Sequence, residues 1–309
     1  MRKEEIVFDS RDGVSKIHAI RWIPEGEVKA VLQIIHGMAE YIERYEHVAE
    51  WFTERGILVT GDDHLGHGAS VSDGGVYGYF CEQDPATVVV RDVHRLKKMT
   101  QEAYPGVPYF IWGHSMGSFI LRNYMMKYGT GIDGAIVCGT GGQPKMLVKF
   151  AKGLANVQKL FLGGKHVAKM LNTMAFGDKS KLEPGHANDW LCTDHSVVEK
   201  YDADPLCGFT FTVNGFITLF TLIDRLNSDK NLSKMPKELP ILMVSGSEDE
   251  VGENGKGVKR VYDKYMEIGM KNVTLKFYDK MRHEIHNEPI KETLFGDIYE
   301  WIEHIVKVD

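Results

Sequence analysis

The sequence predicts an α/β fold: a mostly parallel central sheet flanked by helices, with one helical insertion. Three observations predict it. Short apolar runs alternate with stretches of helical periodicity over most of the chain. Several runs are nearly continuous in Ile, Val and Leu, as expected of strands buried on both faces. The alternation stops once, between residue 144 and about residue 232, and then resumes.

The elements follow in order. Ile6-Val7-Phe8 and Lys16–Trp22 read as short strands joined by Ser10-Arg11-Asp12-Gly13. Ala30–Ile35 is the first fully apolar run. Tyr45–Arg55 has helical spacing through Val48, Trp51 and Phe52, and Gly56 closes it. Ile57–Thr60 is the next strand. Val89, Val93, Leu96 and Met99 mark a helix over 86–104, ended by Pro105-Gly106. The strand Tyr109–Trp112, the helix Phe119–Tyr128 and the strand Gly134–Cys138 come next.

Residues 144–232 hold no convincing strand. Leu147, Phe150, Leu154, Leu160 and Phe161 lie at helical spacing, Gly163-Gly164 breaks the pattern, and Val167, Met170, Leu171 and Met174 restart it. A last helix is expected over Val213–Leu226. This block reads as a helical cap, or lid, over the sheet's edge; the core is then 1–143 with 233–309. The parallel rhythm returns with Ile241–Ser245, a helix over 257–268, the strand Val273–Tyr278 and a helix over Ile290–Val306.

Composition sets the outer limits. The 309 residues are 43% hydrophobic and 26% charged, enough for a full core, and the net charge is −6. An acidic balance argues against nucleic acid as a partner, because phosphate binding needs clustered Lys and Arg. The N-terminus lacks the apolar segment of a signal peptide, and no run has the length of a membrane span. Cys81, Cys138, Cys192 and Cys207 show no metal-type spacing and read as reduced thiols. The expectation is a soluble cytoplasmic protein.

The chemistry enters at Gly113-His114-Ser115-Met116-Gly117, a G-x-S-x-G match. It follows a strand and precedes a helix, the placement a nucleophile elbow requires. A serine hydroxyl is a weak nucleophile, so it needs an imidazole to take its proton and an acid to hold the imidazole's tautomer. On this arrangement the order is Ser, acid, His. Asp249 is the favoured acid, with Glu248 and Glu250 as neighbours on the same loop. His283 is favoured over His286 as base, because it sits nearer the end of the strand Val273–Tyr278.

Five ordered motifs carry a family resemblance. They are His36-Gly37-Met38-Ala39-Glu40 with Arg44-Tyr45, Asp63–Ser70, Gly113–Ser118, Gly246–Val251, and Arg282-His283-Glu284 with Asn287-Glu288. Together the chain resembles the monoacylglycerol lipase and lysophospholipase-like branch of the α/β-hydrolases, which includes serine aminopeptidase-like members. The resemblance implies the α/β-hydrolase fold, resolves the acid to Asp249 and the base to His283, and assigns the oxyanion to the backbone amides of Met38 and Met116. It implies that Glu40 and Arg44 lie near the alcohol part of the substrate. It implies an acyl-ester substrate such as a monoacylglycerol or lysophospholipid, and no metal or organic cofactor.

Other groups have plainer readings. Asp62, Asp63, His64 and His67 fall on a glycine-rich loop that the resemblance makes a buried structural element rather than a metal site. His186 and His195 read as solvated surface residues. Phe211, Phe216 and Phe220, with Leu219, Leu222 and Ile223, either line an acyl pocket or pack a cap helix. Leu154, Leu160, Phe161 and Leu162, with Lys152, Lys159, Lys165 and Lys169 nearby, suit either a lip touching lipid surfaces or a solvated cap face. Two alternatives to ester hydrolysis stand: amide or peptide hydrolysis, or acyl transfer, with the same triad; and a non-catalytic binding protein on this fold.

Overall fold

The computed structural model describes residues 1–177 and 185–308. Its centre is an eight-stranded sheet, in sequence order β1 (Arg2–Asp9), β2 (Lys16–Ile23), β3 (Ala30–Ile35), β4 (Ile57–Asp62), β5 (Tyr109–His114), β6 (Gly134–Cys138), β7 (Ile241–Gly246) and β8 (Val273–Tyr278). In space the order is β1-β2-β4-β3-β5-β6-β7-β8. β2 pairs antiparallel with both neighbours, and every other pairing is parallel.

The apolar runs are explained by burial on two sides. Along β3, Val31 and Ile35 join one core cluster, and Ala30, Leu32 and Ile34 join the other. The first cluster packs under α2 (Pro85–Ala103), α3 (Met116–Tyr128) and α9 (Lys256–Glu267); the second lies against α1 (Glu46–Thr53) and the C-terminal α10 (Lys291–Val308). Such a strand has no polar face, so alternation is absent from its sequence.

Between β6 and β7 come α4 (Lys145–Leu162), α5 (Lys169–Phe176), α6 (His195–Ala203), α7 (Val213–Leu226) and the short α8 (Asp229–Leu232), and no strand among the described residues. α7 is the apolar anchor of this segment: Phe216, Leu219 and Leu222 are buried, and it packs on α3 and α4. Thr212 caps it by accepting from the Gly215 amide. α9 (Lys256–Glu267) and α10 (Lys291–Val308) complete the chain. No helix among the described residues is long and apolar enough to cross a membrane.

The expected elements are present with shifted ends. β5 and β7 run on through His114 and Gly246, and α3 starts at Met116 rather than Phe119. Side-chain periodicity could not place that start, because the first turn of α3 is Met-Gly-Ser. The chain reverses its direction of growth at β3, whose neighbours are β4 on one side and β5 on the other. The crevice beyond the carboxyl ends of β3 and β5 is where an open α/β sheet offers a binding site.

Candidate active site

Ser115 stands between β5 and α3 with φ 53° and ψ −120°. A non-glycine residue holds that backbone only when its surroundings force it. The flanking glycines show the forcing. A Cβ on Gly117 would lie 2.0 Å from the Ile35 carbonyl oxygen, and one on Gly113 would lie 2.4 Å from the Gly117 carbonyl oxygen. The turn is therefore tighter than any side chain at those positions allows.

His283 and Asp249 reach the same crevice from the loops after β8 and β7. The Nδ1 of His283 is 2.9 Å from Asp249 Oδ1, and both side chains are fully buried. With Nδ1 donating to the carboxylate, Nε2 is the nitrogen left to accept a proton, and it has no hydrogen-bond partner among the described residues. Burial pushes the Asp249 carboxyl up, but His283 beside it more than offsets that and holds it below its ordinary value. Burial pushes His283 down, and Asp249 more than offsets it, so the imidazole titrates above its ordinary 6.5. Both shifts favour an imidazolium–carboxylate pair. Asp249 also accepts from the Val251 amide, while Glu250 lines the cavity.

His283 is distinguished from His286 by position. His286 stacks on Tyr45 at 4.8 Å and packs edge-on to Trp112 and His114. Burial and His114 hold it well below the usual histidine range, so it is a neutral core residue.

The loop after β3 carries Met38 and approaches Ser115 closely: a Cβ on Gly37 would lie 3.2 Å from the Ser115 Cβ. Met116, at the first position of α3, has no intrahelical acceptor for its amide. Met38 and Met116 both line the cavity beside Ser115. Behind this loop, burial and neighbouring His64 lower His36 to about 4, so it is neutral. Its Nε2 accepts from the His64 amide at 3.1 Å, leaving Nδ1–H to hold the Gly37 carbonyl at 2.8 Å. Asp63 is spent on the amides of Ile42 and Ala69 and on His18. The Asp62–His67 stretch thus braces the loop from behind.

The structure corrects the reading of Arg44 and sharpens that of Glu40. Glu40 lines the cavity, yet its Oε1 accepts from the Gly37 amide at 2.6 Å and from Tyr45, and its Oε2 from Arg44 at 2.6 Å. Arg44 is not on the cavity wall. It turns away to grip Glu284 through both terminal nitrogens, at 2.9 and 2.8 Å. Arg44 is thus committed to holding loops, while Glu40 both holds the Gly37 loop and stands on the cavity wall. Phe211 and Phe216 are likewise corrected: both are fully buried and absent from the cavity wall, with Phe211 packed among His67, Phe80 and Phe216. Phe220 does line the cavity.

The cavity holds about 690 Å³, a size that suits a small-molecule ligand. Its apolar wall comes from α3 (Phe119), α4 (Leu147, Val148, Phe150), α5 (Leu171, Met174) and α7 (Leu219, Ile223). Sequence reasoning missed Trp190, whose ring lies 5.1 Å from that of His283, and Phe209. Neither sits in a periodic segment, so nothing local marked them. His114, inside the Gly113–Gly117 motif, has a further part that the motif does not show. Its Nε2 donates to the His283 carbonyl at 3.2 Å and its Nδ1 lies 3.3 Å from Glu40, joining three loops.

Fold and site together define an α/β-hydrolase. The profile of the Hydrolase_4 family, described as serine aminopeptidase, S33, matches residues 26–290, and the chain belongs to this family. A monoglyceride lipase of Rattus norvegicus is 28% identical, covering 93% of this chain and 86% of its own. A monoacylglycerol lipase of Mycolicibacterium smegmatis is 27% identical, covering 97% of each. Among solved structures, a highly thermostable carboxyl esterase from Bacillus coagulans in complex with glycerol superposes with a TM-score of 0.89 at 32% identity, over 99% of both chains. The chain is a serine ester hydrolase.

Proposed function

We propose that the chain hydrolyses single-chain acyl esters, of the monoacylglycerol or lysophospholipid class, through an acyl-enzyme on Ser115. The observation that carries this reading is that Ser115 and His283 border one largely apolar cavity, with buried Asp249 hydrogen-bonded to His283 behind the wall. In the first step His283 Nε2 takes the Ser115 hydroxyl proton as the oxygen bonds to the ester carbonyl carbon. The carbonyl electron pair moves to its oxygen, which the Met38 and Met116 amides stabilise. The C–O bond then breaks, and His283 returns the proton to the departing alcohol. Water, deprotonated by the same nitrogen, attacks the acyl carbon; the bond from that carbon to the Ser115 oxygen breaks, His283 returns the proton to that oxygen, and the fatty acid leaves. Apart from the substrate, only water enters from outside the chain.

The relatives named as monoglyceride lipases favour a glyceryl ester. In this reading residues 144–232 form the cap and 1–143 with 233–309 the catalytic core. On α4, Met146, Leu147, Phe150, Leu160 and Phe161 are more than half exposed, and Lys145, Lys149, Lys152 and Lys159 lie on the same helix. A helix of that make-up suits transient contact with a lipid surface.

A second reading has one observation behind it. Glu250 and Glu253 line the cavity, so a substrate amine would find carboxylates there, as amide hydrolysis at a free N-terminus requires. The deciding experiment compares kcat/KM for monoacylglycerols, lysophospholipids and aminoacyl anilides. Preference for a glyceryl or lysophospholipid ester supports the proposal; faster turnover of the anilides replaces it with the aminopeptidase reading.

A further inference from the structure

The segment leading into α6 gathers a second group of ligating side chains, away from Ser115. His186, Asp189 and His195 each present one ligand atom, and these atoms lie within 4.8 Å of one another. His186 Nδ1 is 2.7 Å from Asp189 Oδ2, and His195 Nδ1 is 3.3 Å from Asp189 Oδ1. The two imidazoles stack with centroids 5.0 Å apart and planes 22° from parallel. Asp189 Oδ1 is shielded from solvent and faces His195 Nδ1. Two rings thus flank one carboxylate, each aiming a nitrogen at a different oxygen.

This donor set has a chemical preference. Two imidazoles with one carboxylate suit zinc, nickel, cobalt or copper, whereas calcium and magnesium prefer oxygen alone. Donor atoms around a tetrahedral zinc stand roughly 3.3 Å apart, from bonds of about 2.0 Å. The three ligand atoms already lie within 4.8 Å of one another, and both rings are about half exposed. A second carboxylate stands behind His195. Glu199, one turn along α6 from His195, has Oε1 3.7 Å from His195 Nε2. A carboxylate on the nitrogen not bound to metal fixes the ring and raises its basicity.

The position of the group links it to the active-site loop. Asp189 opens a short helical turn through Leu191. The Asp189 carbonyl accepts from Arg282 Nη1 at 2.6 Å, and the Trp190 and Leu191 carbonyls accept from the His283 and Glu284 amides at 3.4 and 2.7 Å. We propose that His186, Asp189 and His195 form a binding site for a divalent ion of the zinc or nickel class. The bound ion fastens the Asp189–Leu191 turn to the start of α6 and so steadies the cap against the loop that carries His283. The proposal is independent of the substrate and of the role of Ser115.

The test uses the full chain, stripped with chelator and dialysed. Zinc and nickel chlorides are titrated by calorimetry, with calcium chloride as control, and Tm is followed by thermal unfolding. Wild type is expected to bind one equivalent of zinc or nickel and to gain several degrees in Tm, with no response to calcium. The double variant His186→Ala/His195→Ala changes two exposed side chains and is expected to keep the metal-free Tm while losing at least about tenfold in affinity. Glu199→Gln is expected to weaken binding less. Equal binding by wild type and the double variant, or no binding by wild type, overturns the site.

Discussion

Arg44 and Glu284 stand 240 residues apart in sequence and meet as a two-pronged ion pair directly beside the proposed base, with N–O distances of 2.9 and 2.8 Å. Through Glu40 the same guanidinium reaches the Gly37 amide, and through the Glu284 backbone it reaches His283. Asn287 props the pair by donating to Glu284 Oε2 at 2.7 Å. The loop that carries Met38 and the loop that carries His283 are therefore held in register by one largely buried cation.

Arg44→Ala leaves two buried carboxylates without their counter-charge. Removing one partner of a buried pair costs about 3–5 kcal/mol, and denaturant unfolding should show a loss of that order. Arg44→Lys keeps the charge but loses the fork, and should recover part of the stability. A variant Arg44→Ala as stable as wild type would show that the network holds nothing.

The His283–Asp249 pair fixes the sign of the pH response. The folded-state pKa of His283 is raised above 6.5, so the pair's stabilisation is fully present below the unfolded value and is lost as pH rises through the folded one. Catalysis needs the neutral ring, so kcat/KM should rise over that same window, with a midpoint above 6.5. Asp249→Asn should move the midpoint down and cut kcat on the order of 10³–10⁴-fold. An acid limb unmoved by Asp249→Asn would remove the carboxylate from its assigned role.

Gly117 tests the strain argument. A methyl there meets the backbone oxygens of Ile35 and His36 at 2.0 and 2.7 Å, which no side-chain rotation relieves. Gly117→Ala should destabilise by about 1–3 kcal/mol and push the Gly37–Met38 loop away from Ser115. Loss of kcat with little change in KM is the expected kinetic signature. Wild-type kcat in a folded Gly117→Ala protein would contradict the fit.

The apolar wall predicts chain-length selection. Leu219 and Ile223 project from α7 into the cavity, so Ile223→Trp should shorten it. The preference for a laurate over a butyrate ester should then fall by about tenfold or more, since each methylene excluded from an apolar pocket is worth roughly 1–3 kcal/mol. An unchanged ratio would place the acyl chain elsewhere.

Much of this was legible in the sequence because the signals are local. The apolar strands and the strand-to-helix turn at Ser115 each depend on short segments, and the structure carries them where the sequence puts them; Asp249 and His283 lie on the loops after β7 and β8, but only the family resemblance singles them out from Glu248, Glu250 and His286. The site's supporting parts were not legible, because they depend on contacts between distant segments. Glu40 and Arg44 are polar residues near the crevice, but only the position of Glu284 shows that Arg44 turns away from it. Phe211, Phe216 and Phe220 share one apolar stretch, yet only Phe220 faces the cavity, since Phe211 precedes α7 and packs on His67. His186 and His195 read as isolated surface residues until the turn at Asp189 brings them together.

The central claim is tested most directly by intact-protein mass spectrometry after treatment with a fluorophosphonate probe. Wild type should gain the mass of one phosphonyl adduct, mapped to the peptide holding Ser115, with loss of esterase activity in proportion; Ser115→Ala should gain none. Equal labelling of the two proteins, or an adduct on any other residue, would contradict the account.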